Sequence, residues 1–256
     1  MKPTAHPPLT SPLPPTPAAA VECFGSALAL AERYGQWLAG AGVERGLLGP
    51  REVDRLWERH LLNCAVLLDW LPPSGSVLDL GSGAGLPGIV LALVRPDLEV
   101  VLLEPLLRRA TFLQQVVADL ELPRTSVVRG RAEEYARQRP EAADAVVARA
   151  VAPLDRLIGW AAPLIAPKGF LLAMKGETVS GELAAAGPVA DRWGMSAAEV
   201  HRVGKGTTVT SVVRLQKLRS QKPGLQEPGP RPSNASNSGD TAALGPARNQ
   251  RGGHGD

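Results

Sequence analysis

Val77-Leu78-Asp79-Leu80-Gly81-Ser82-Gly83-Ala84-Gly85-Leu86-Pro87-Gly88 is the stretch on which the fold turns. An apolar run ends near an acid and breaks into a loop with glycine at every second position. A second apolar segment, Ile89 to Val94, follows. That order reads as a strand, a tight turn and the start of a helix. Gly81, Gly83 and Gly85 permit positive φ and let a ligand lie against the backbone. The free N–H groups of the next helix point at that ligand, so a nucleotide-like cofactor is expected.

Two cofactors compete for this loop. Gly83 to Gly88 matches the G-x-G-x-x-G dinucleotide pattern, which alone is weak evidence. The loop already opens at Gly81, two residues before that pattern begins. Asp79, at the end of the strand, would repel a pyrophosphate but suits a cationic ligand with an amino group. S-adenosylmethionine has a sulfonium and an α-amino group, and is favoured over NAD. A second strand, rich in Val and Leu, runs to Glu104. An acid about 20 residues beyond the glycine loop binds ribose hydroxyls in either cofactor class. The alternative for Glu104 is a solvated loop acid.

The chain has 256 residues, 44% of them hydrophobic, enough for a full core. Residues 1–20 are rich in Pro, Ala and Thr, and residues 219–256 in Gly, Pro, Ser, Asn and Arg. Neither segment has apolar periodicity, and both are expected to be disordered tails. One α/β domain with an N-terminal helical extension is left over residues 21–218. The net charge of +3 permits an RNA partner without requiring one. No apolar run is long enough to span a membrane, and the N-terminus, with a single Lys and repeated prolines, does not read as a signal peptide. Cys23 and Cys64, the only cysteines, sit in apolar helical patterns without metal-ligand spacing. A cytoplasmic monomer without a metal or a membrane partner is expected.

Residues 21–39 and 51–71 carry apolar side chains at helical spacing and could cover the cofactor end of a sheet. Strands are then expected at 77–80, 99–104, 125–129, 143–148 and 169–175, with helices at 86–94, 108–120 and 153–166. Near-continuous apolar strands alternating with helices predict a parallel sheet covered on both faces. Beyond Gly187, two strands at about 197–203 and 208–215, joined through Gly204-Lys205-Gly206, read as a hairpin. A mostly parallel sheet ending in an antiparallel hairpin is the layout of the Rossmann-like methyltransferase fold. Ligands of such sheets bind beyond the carboxyl ends of the strands.

Two strand ends carry the remaining chemistry. The third runs into Arg129-Gly130-Arg131-Ala132-Glu133, where this fold brackets an adenine. Ala132 leaves room for the ring; Glu133 reads alternatively as a helix-start residue. The fourth runs from Asp144 through Arg149 to Pro153 and faces both donor and acceptor. It lacks the Asn/Asp-Pro-Pro-aromatic motif of exocyclic-amine methylation, and no cysteine lies near it in sequence. An acceptor that is already nucleophilic remains, and guanine N7 has a lone pair and no proton to lose. Alignment and exclusion of water then suffice. Arg149 could offer its fork of donors to the Hoogsteen edge of the guanine, to phosphate or to the cofactor carboxylate. Its alternative is an ion pair with Asp144 or Asp155.

With these residues in view, the chain resembles the bacterial 16S rRNA guanine-N7 methyltransferases, also called glucose-inhibited division protein B. The resemblance covers roughly residues 34–215. It is strongest at Asp79 to Gly88, Arg108-Arg109 with Phe112-Leu113, Arg149-Ala150-Val151-Ala152 and Met174-Lys175-Gly176; Arg59-His60-Leu61-Leu62 resembles the family's N-terminal helix motif. The loop reading places Asp79, Gly83 and Gly85 at the cofactor, and the resemblance implies that Gly81 and Leu86 line the S-adenosylmethionine site. Glu104 would hold the ribose, Ala132 and Glu133 the adenosine end, and Arg149 the mouth of the active site. It also implies that His60, Arg109 and Lys175 lie near 16S rRNA of the small ribosomal subunit. Their alternatives are a helix contact, a solvated helix start and a strand cap. Asn63-Cys64 and Glu104-Pro105 stand where the family often has Asp-Ser, and Arg108 where Lys is usual; Pro105 removes a backbone donor and a hydroxyl. A small-molecule methyltransferase, an NAD(P)-dependent oxidoreductase and a non-catalytic ribosome-binding protein remain as alternatives.

Overall fold

The computed structural model of the chain describes residues 12–176, 179–204 and 208–218. Among the described residues seven strands form: β1 (Ser76–Leu80), β2 (Glu99–Glu104), β3 (Thr125–Arg129), β4 (Ala143–Arg149), β5 (Ile165–Lys175), β6 (Glu199–Val203) and β7 (Thr210–Gln216). They form one sheet in the order β3-β2-β1-β4-β5-β7-β6. β1 to β5 are parallel, and β7 runs antiparallel between β5 and β6. This is the expected parallel sheet with a closing antiparallel hairpin. The order of strands reverses between β1 and β4, which opens a crevice at their carboxyl ends.

The helices are α1 (Ala18–Phe24), α2 (Leu28–Trp37), α3 (Leu62–Ala65), α4 (Gly88–Val94), α5 (Leu107–Asp119), α6 (Ala132–Gln138), α7 (Leu154–Ala161) and α8 (Val179–Arg192). Side chains alternate across the sheet because the period of a strand is two. Val77 enters a cluster with Ile89, Phe112 and the N-terminal helices, while Leu78 and Leu80 enter a second cluster with Leu157 and Ala190. Both faces of β1 are therefore covered, as its apolar run requires. Among the described residues no helix is long and apolar enough to cross a membrane.

Local structure departs from periodicity in four places. Residues 51–71 form no single helix: a 3-10 stretch (Pro50–Arg55), a π turn (Leu56–Leu61), α3 and a 3-10 turn (Leu68–Trp70) succeed one another. The first helix begins at Ala18 and breaks at Gly25, whose φ of 48° lies in the left-handed region. The domain boundary expected at residue 20 thus falls inside α1. Leu13 packs on the core, Trp57 Nε1 donates to the Pro14 carbonyl (3.3 Å), and Thr16 donates to Glu32 (2.7 Å). Residues 1–11 and 219–256, the rest of the expected tails, lie outside the described residues, as does part of the hairpin loop. The helix expected over 153–166 stops at Ala161; Pro163 lies in a 3-10 turn and β5 starts at Ile165. Finally, α6 and α8 were not expected. Pro188 and several glycines weaken the helical pattern of α8, and burial of Ala186 and Ala190 beside α7 outweighs that local cost.

Beside the core packing, one acid on α5 clasps α2 to the sheet layer. Asp119, at the end of α5, accepts from Arg33 Nε (2.8 Å) and Nη2 (2.6 Å) and from Trp37 Nε1 (2.7 Å). Asp119→Ala removes all three contacts and strands a mostly buried indole N–H. Its expected cost is about 1–3 kcal/mol in chemical denaturation. A variant as stable as the parent would mean that the clasp contributes nothing.

Candidate active site

The backbone of the loop from Gly81 to Gly88 is held by partners on its flanks and underside. Gly81 N–H (2.8 Å) and Ser82 N–H (3.2 Å) donate to the Leu103 carbonyl. Gly83 N–H donates to Glu104 Oε2 (2.9 Å), and Gly88 N–H to Asp79 Oδ2 (3.0 Å). The Tyr34 hydroxyl, from α2, donates to the Ala84 carbonyl (2.7 Å). Gly81, Gly83 and Gly85 have φ of 71°, 58° and 96°, where a side chain is strained. A Cβ on Gly85 would also collide with Ile89, and one on Gly81 would press on Val151 at 3.1 Å. Gly81 and Gly85 are thus required by both conformation and space, and Gly83 by conformation alone.

Beyond the carboxyl ends of β1, β2 and β4 lies an open cavity of about 520 Å³. Its wall includes Gly81, Gly83, Leu86 and Glu104 from the loop side and His60, Arg109, Arg131 and Arg149 around the mouth. A smaller cavity of about 120 Å³ adjoins it, sharing Gly81 and Val151, and is lined by Leu103, Ala132, Glu133 and Trp160. The pair suits an adenosyl group. The small cavity is an apolar cleft with an indole for a flat ring. Glu104, on the wall of the larger cavity, accepts from Leu106 N–H at Oε1 (3.0 Å) and from Gly83 N–H at Oε2, and keeps further lone pairs on each oxygen. The Cβ-free loop admits the rest of the chain of atoms.

Asp79 is not where the sequence suggested. Its side chain is 1% exposed and lies beneath the loop, on the wall of neither cavity. Oδ2 accepts from Gly88 N–H, and Oδ1 has no hydrogen-bond partner. Burial raises its pKa to about 7, against the opposing pull of that backbone hydrogen bond. Asp79 therefore shapes the loop from below rather than facing the cofactor.

Arg149 ends β4 at the mouth of the larger cavity, but the acids considered as its partners do not hold it. Asp144 accepts from Ser76 N–H (2.8 Å) and hydroxyl (3.0 Å) near the other end of the strand. Arg149 Nη2 instead donates to His60 Nδ1 (2.8 Å) and Nη1 to Cys64 Sγ (3.2 Å). His60 is 5% exposed, and its Nε2 faces Glu52 Oε2 at 2.9 Å. Burial, then the Arg149 charge, push the His60 pKa down to about 4, so the ring is neutral near pH 7. Cys64, absent from the site in sequence, reaches it in space; burial raises its pKa and it is no nucleophile. The next residue, Ala150, has φ 53° in the cavity wall, a left-handed conformation that costs free energy without glycine.

Of the three residues expected near RNA, Arg109 stands exposed on the rim, and His60 is turned inward onto Arg149. Lys175 lies elsewhere. Its Nζ donates to Glu182 (2.7 Å) and to the Ala152 carbonyl (2.6 Å), and the side chain is 9% exposed. Its charge is matched inside the fold rather than offered to a polyanion. Tyr34, Glu52 and Trp160 escaped sequence reasoning because each looks like an ordinary core or surface residue. Cys64 left a signal: it follows His60 by four positions, on the same helical face.

Residues 27–209 match the family model described as GidB, rRNA small subunit methyltransferase G. The chain belongs to this family. Relatives named ribosomal RNA small subunit methyltransferase G include one from Nocardioides sp., 55% identical over 205 residues (79% of this chain, 81% of the relative). Another, from Streptomyces avermitilis, is 54% identical over 206 residues (80% and 86%), and one from Salinispora tropica is 47% identical over 228 residues (86% and 94%). Among solved structures, the apo S-adenosylmethionine-dependent methyltransferase SibL superposes with a TM-score of 0.52 at 17% identity, covering 79% of this chain and 70% of that one. That likeness is one of fold.

The buried Asp79 makes a pH-dependent contribution to stability. Its folded pKa, about 7, lies above the ordinary value of 3.8, so the folded state holds a proton that the unfolded chain has released. Stability from this group is therefore present at low pH and lost as pH rises between those values. His60, with a lowered pKa, acts in the opposite sense, but equally in parent and variant. Asp79→Asn should gain on the parent by up to about 1.4 kcal/mol per pH unit across that window. A stability difference that does not change with pH, in denaturation series on both proteins, would show that Asp79 is not held as the acid.

Proposed function

We propose that the protein transfers a methyl group from S-adenosylmethionine to N7 of a guanine in 16S rRNA of the small ribosomal subunit, acting as a cytoplasmic monomer. Membership of the rRNA small subunit methyltransferase G family supports the cofactor and the class of substrate. The observation that carries the choice of atom is the chemistry around Arg149. His60 is a poor base with a pKa of about 4, and its Nδ1 is occupied by Arg149. The Cys64 thiol is buried and Asp79 lies under the loop. Among the described residues the wall around Arg149 offers hydrogen-bond donors, and the one carboxylate of that cavity, Glu104, already accepts from Gly83 and Leu106 N–H. An amine or hydroxyl acceptor must lose a proton during transfer, whereas guanine N7 has none to lose.

When bound, S-adenosylmethionine supplies a methyl carbon made electrophilic by its sulfonium. The roles of the chain are binding and alignment. Gly81, Gly83 and Leu86 form the cradle, with Gly85 allowing its turn. Glu104 accepts from the ribose hydroxyls, and Ala132, Glu133 and Trp160 enclose the adenine. Arg149 donates to the guanine, and Arg109 and Arg131 at the rim meet backbone phosphates. Apolar Leu47, Leu48 and Leu86 in the same wall help to keep water from the reacting atoms.

The test is methyl transfer onto small subunits from a strain lacking this modification, with the product mapped by cleavage at 7-methylguanosine. A single 7-methylguanosine in 16S rRNA is expected. The single-turnover rate at saturating RNA and cofactor should be flat across neutral pH. Methyl groups on another atom, or a rate rising tenfold per pH unit, would contradict the assignment.

Arg149→Lys keeps a positive charge but loses the planar fork. It should retain the parental melting temperature and cofactor affinity while losing most methylation. Methylation at the parental rate, or loss caused only by unfolding, would make Arg149 a structural residue.

A further inference from the structure

The direction of the Arg149 fork is set by two residues from the irregular segment before β1. Glu52 lies in the 3-10 stretch Pro50–Arg55, and His60 in the π turn Leu56–Leu61. A carboxylate only accepts hydrogen bonds, so the 2.9 Å contact from Glu52 Oε2 requires the proton of the neutral ring to be on His60 Nε2. Nδ1 is then a lone pair, which is what the N–H of Arg149 Nη2 needs at 2.8 Å. The opposite tautomer would set two N–H groups against each other at Arg149 and two lone-pair acceptors against each other at Glu52. Cys64 Sγ takes a second N–H of the same guanidinium. Arginine has five N–H donors, and these two contacts leave the others for a ligand of the cavity that Arg149 lines. Glu52 also contacts Arg59 at 3.1 Å, and the Arg59 charge adds a smaller push against protonation of the imidazole.

We propose that Glu52 and His60 are positioning residues for methyl transfer: Glu52 fixes His60 as the Nε2–H tautomer, and His60 Nδ1 holds the Arg149 guanidinium in the orientation that engages the acceptor guanine. This rests on the functional reading above. It gives His60 a role inside the protein rather than on the RNA. It also explains why the ring is buried and neutral beside a cation: an imidazolium could not accept from Arg149, and burial with the Arg149 charge disfavours that form.

The experiment combines two-bond 1H–15N correlation spectra of histidine-labelled protein with single-turnover methylation of small subunits. His60→Gln serves only to assign the His60 signals. The parent should show His60 protonated on Nε2 and bare on Nδ1 at neutral pH. Glu52→Ala, at a side chain that is 30% exposed and so replaceable without a buried void, should lose that fixed tautomer. Its methylation rate at saturating RNA and cofactor should fall about tenfold or more, with affinity for S-adenosylmethionine unchanged. Glu52→Gln still offers an acceptor oxygen to Nε2–H and should restore both the tautomer and the rate. A proton on Nδ1 in the parent, or a parental rate in Glu52→Ala, would overturn the positioning role. So would a Glu52→Gln variant that keeps the tautomer yet is as slow as Glu52→Ala. No methylation of 16S rRNA by the parent would instead overturn the functional reading on which this role rests.

Discussion

Everything at the site depends on satisfying the polar backbone of the glycine loop without covering its open face. A loop of this kind exposes N–H and C=O groups that cannot be left unpaired where they are buried. Any partner set on top would fill the place of a ligand. The partners therefore come from the sides and from below: the Leu103 carbonyl, the Glu104 and Asp79 carboxyl groups and the Tyr34 hydroxyl. Two of these residues lie on β2 and one on β1, so the parallel pairing that sets Leu80 beside Leu103 also brings them to the loop. The sheet register and the shape of the cradle are one constraint.

The N-terminal helices are part of the site rather than a cover added to a finished fold. Tyr34 secures the loop from α2, and His60 and Cys64 anchor Arg149 from the segment before β1. Asp119 clasps that layer to α5, whose first turn supplies Arg109 at the rim. Displacing these helices would disturb the cradle and the Arg149 fork together. The left-handed backbone of Ala150, directly after Arg149, is a further sign that this wall is held in a shape that local preference alone would not choose.

The sheet was legible in the sequence because a strand buried on both faces must be almost continuously apolar, and Val77 to Leu80, residues 99–103 and 143–148 satisfy that directly. The glycine loop was legible because positive φ and close approach leave few alternatives to glycine. What resisted reading depended on contacts distant in sequence. Asp79 looked like a ligand because a strand-end acid faces the crevice in the simplest picture; the chain instead turns it under the loop to meet Gly88 N–H. Lys175 looked available to RNA, yet Glu182, on an α8 that its glycines and Pro188 conceal, takes the charge. Cys64 seemed remote from Arg149 because 85 residues separate them along the chain. The run 51–71 has the spacing of a helix, but turns of 3-10 and π geometry replace it, and that is the geometry in which Glu52 and His60 meet.

The central claim is that this loop, despite matching a dinucleotide pattern, cradles S-adenosylmethionine. Isothermal titration of the full chain with S-adenosylmethionine and with NAD, side by side in one buffer, tests it most directly. Saturable binding of one S-adenosylmethionine per chain, with no heat from NAD, is the predicted result. Saturable binding of NAD with none of S-adenosylmethionine would contradict it.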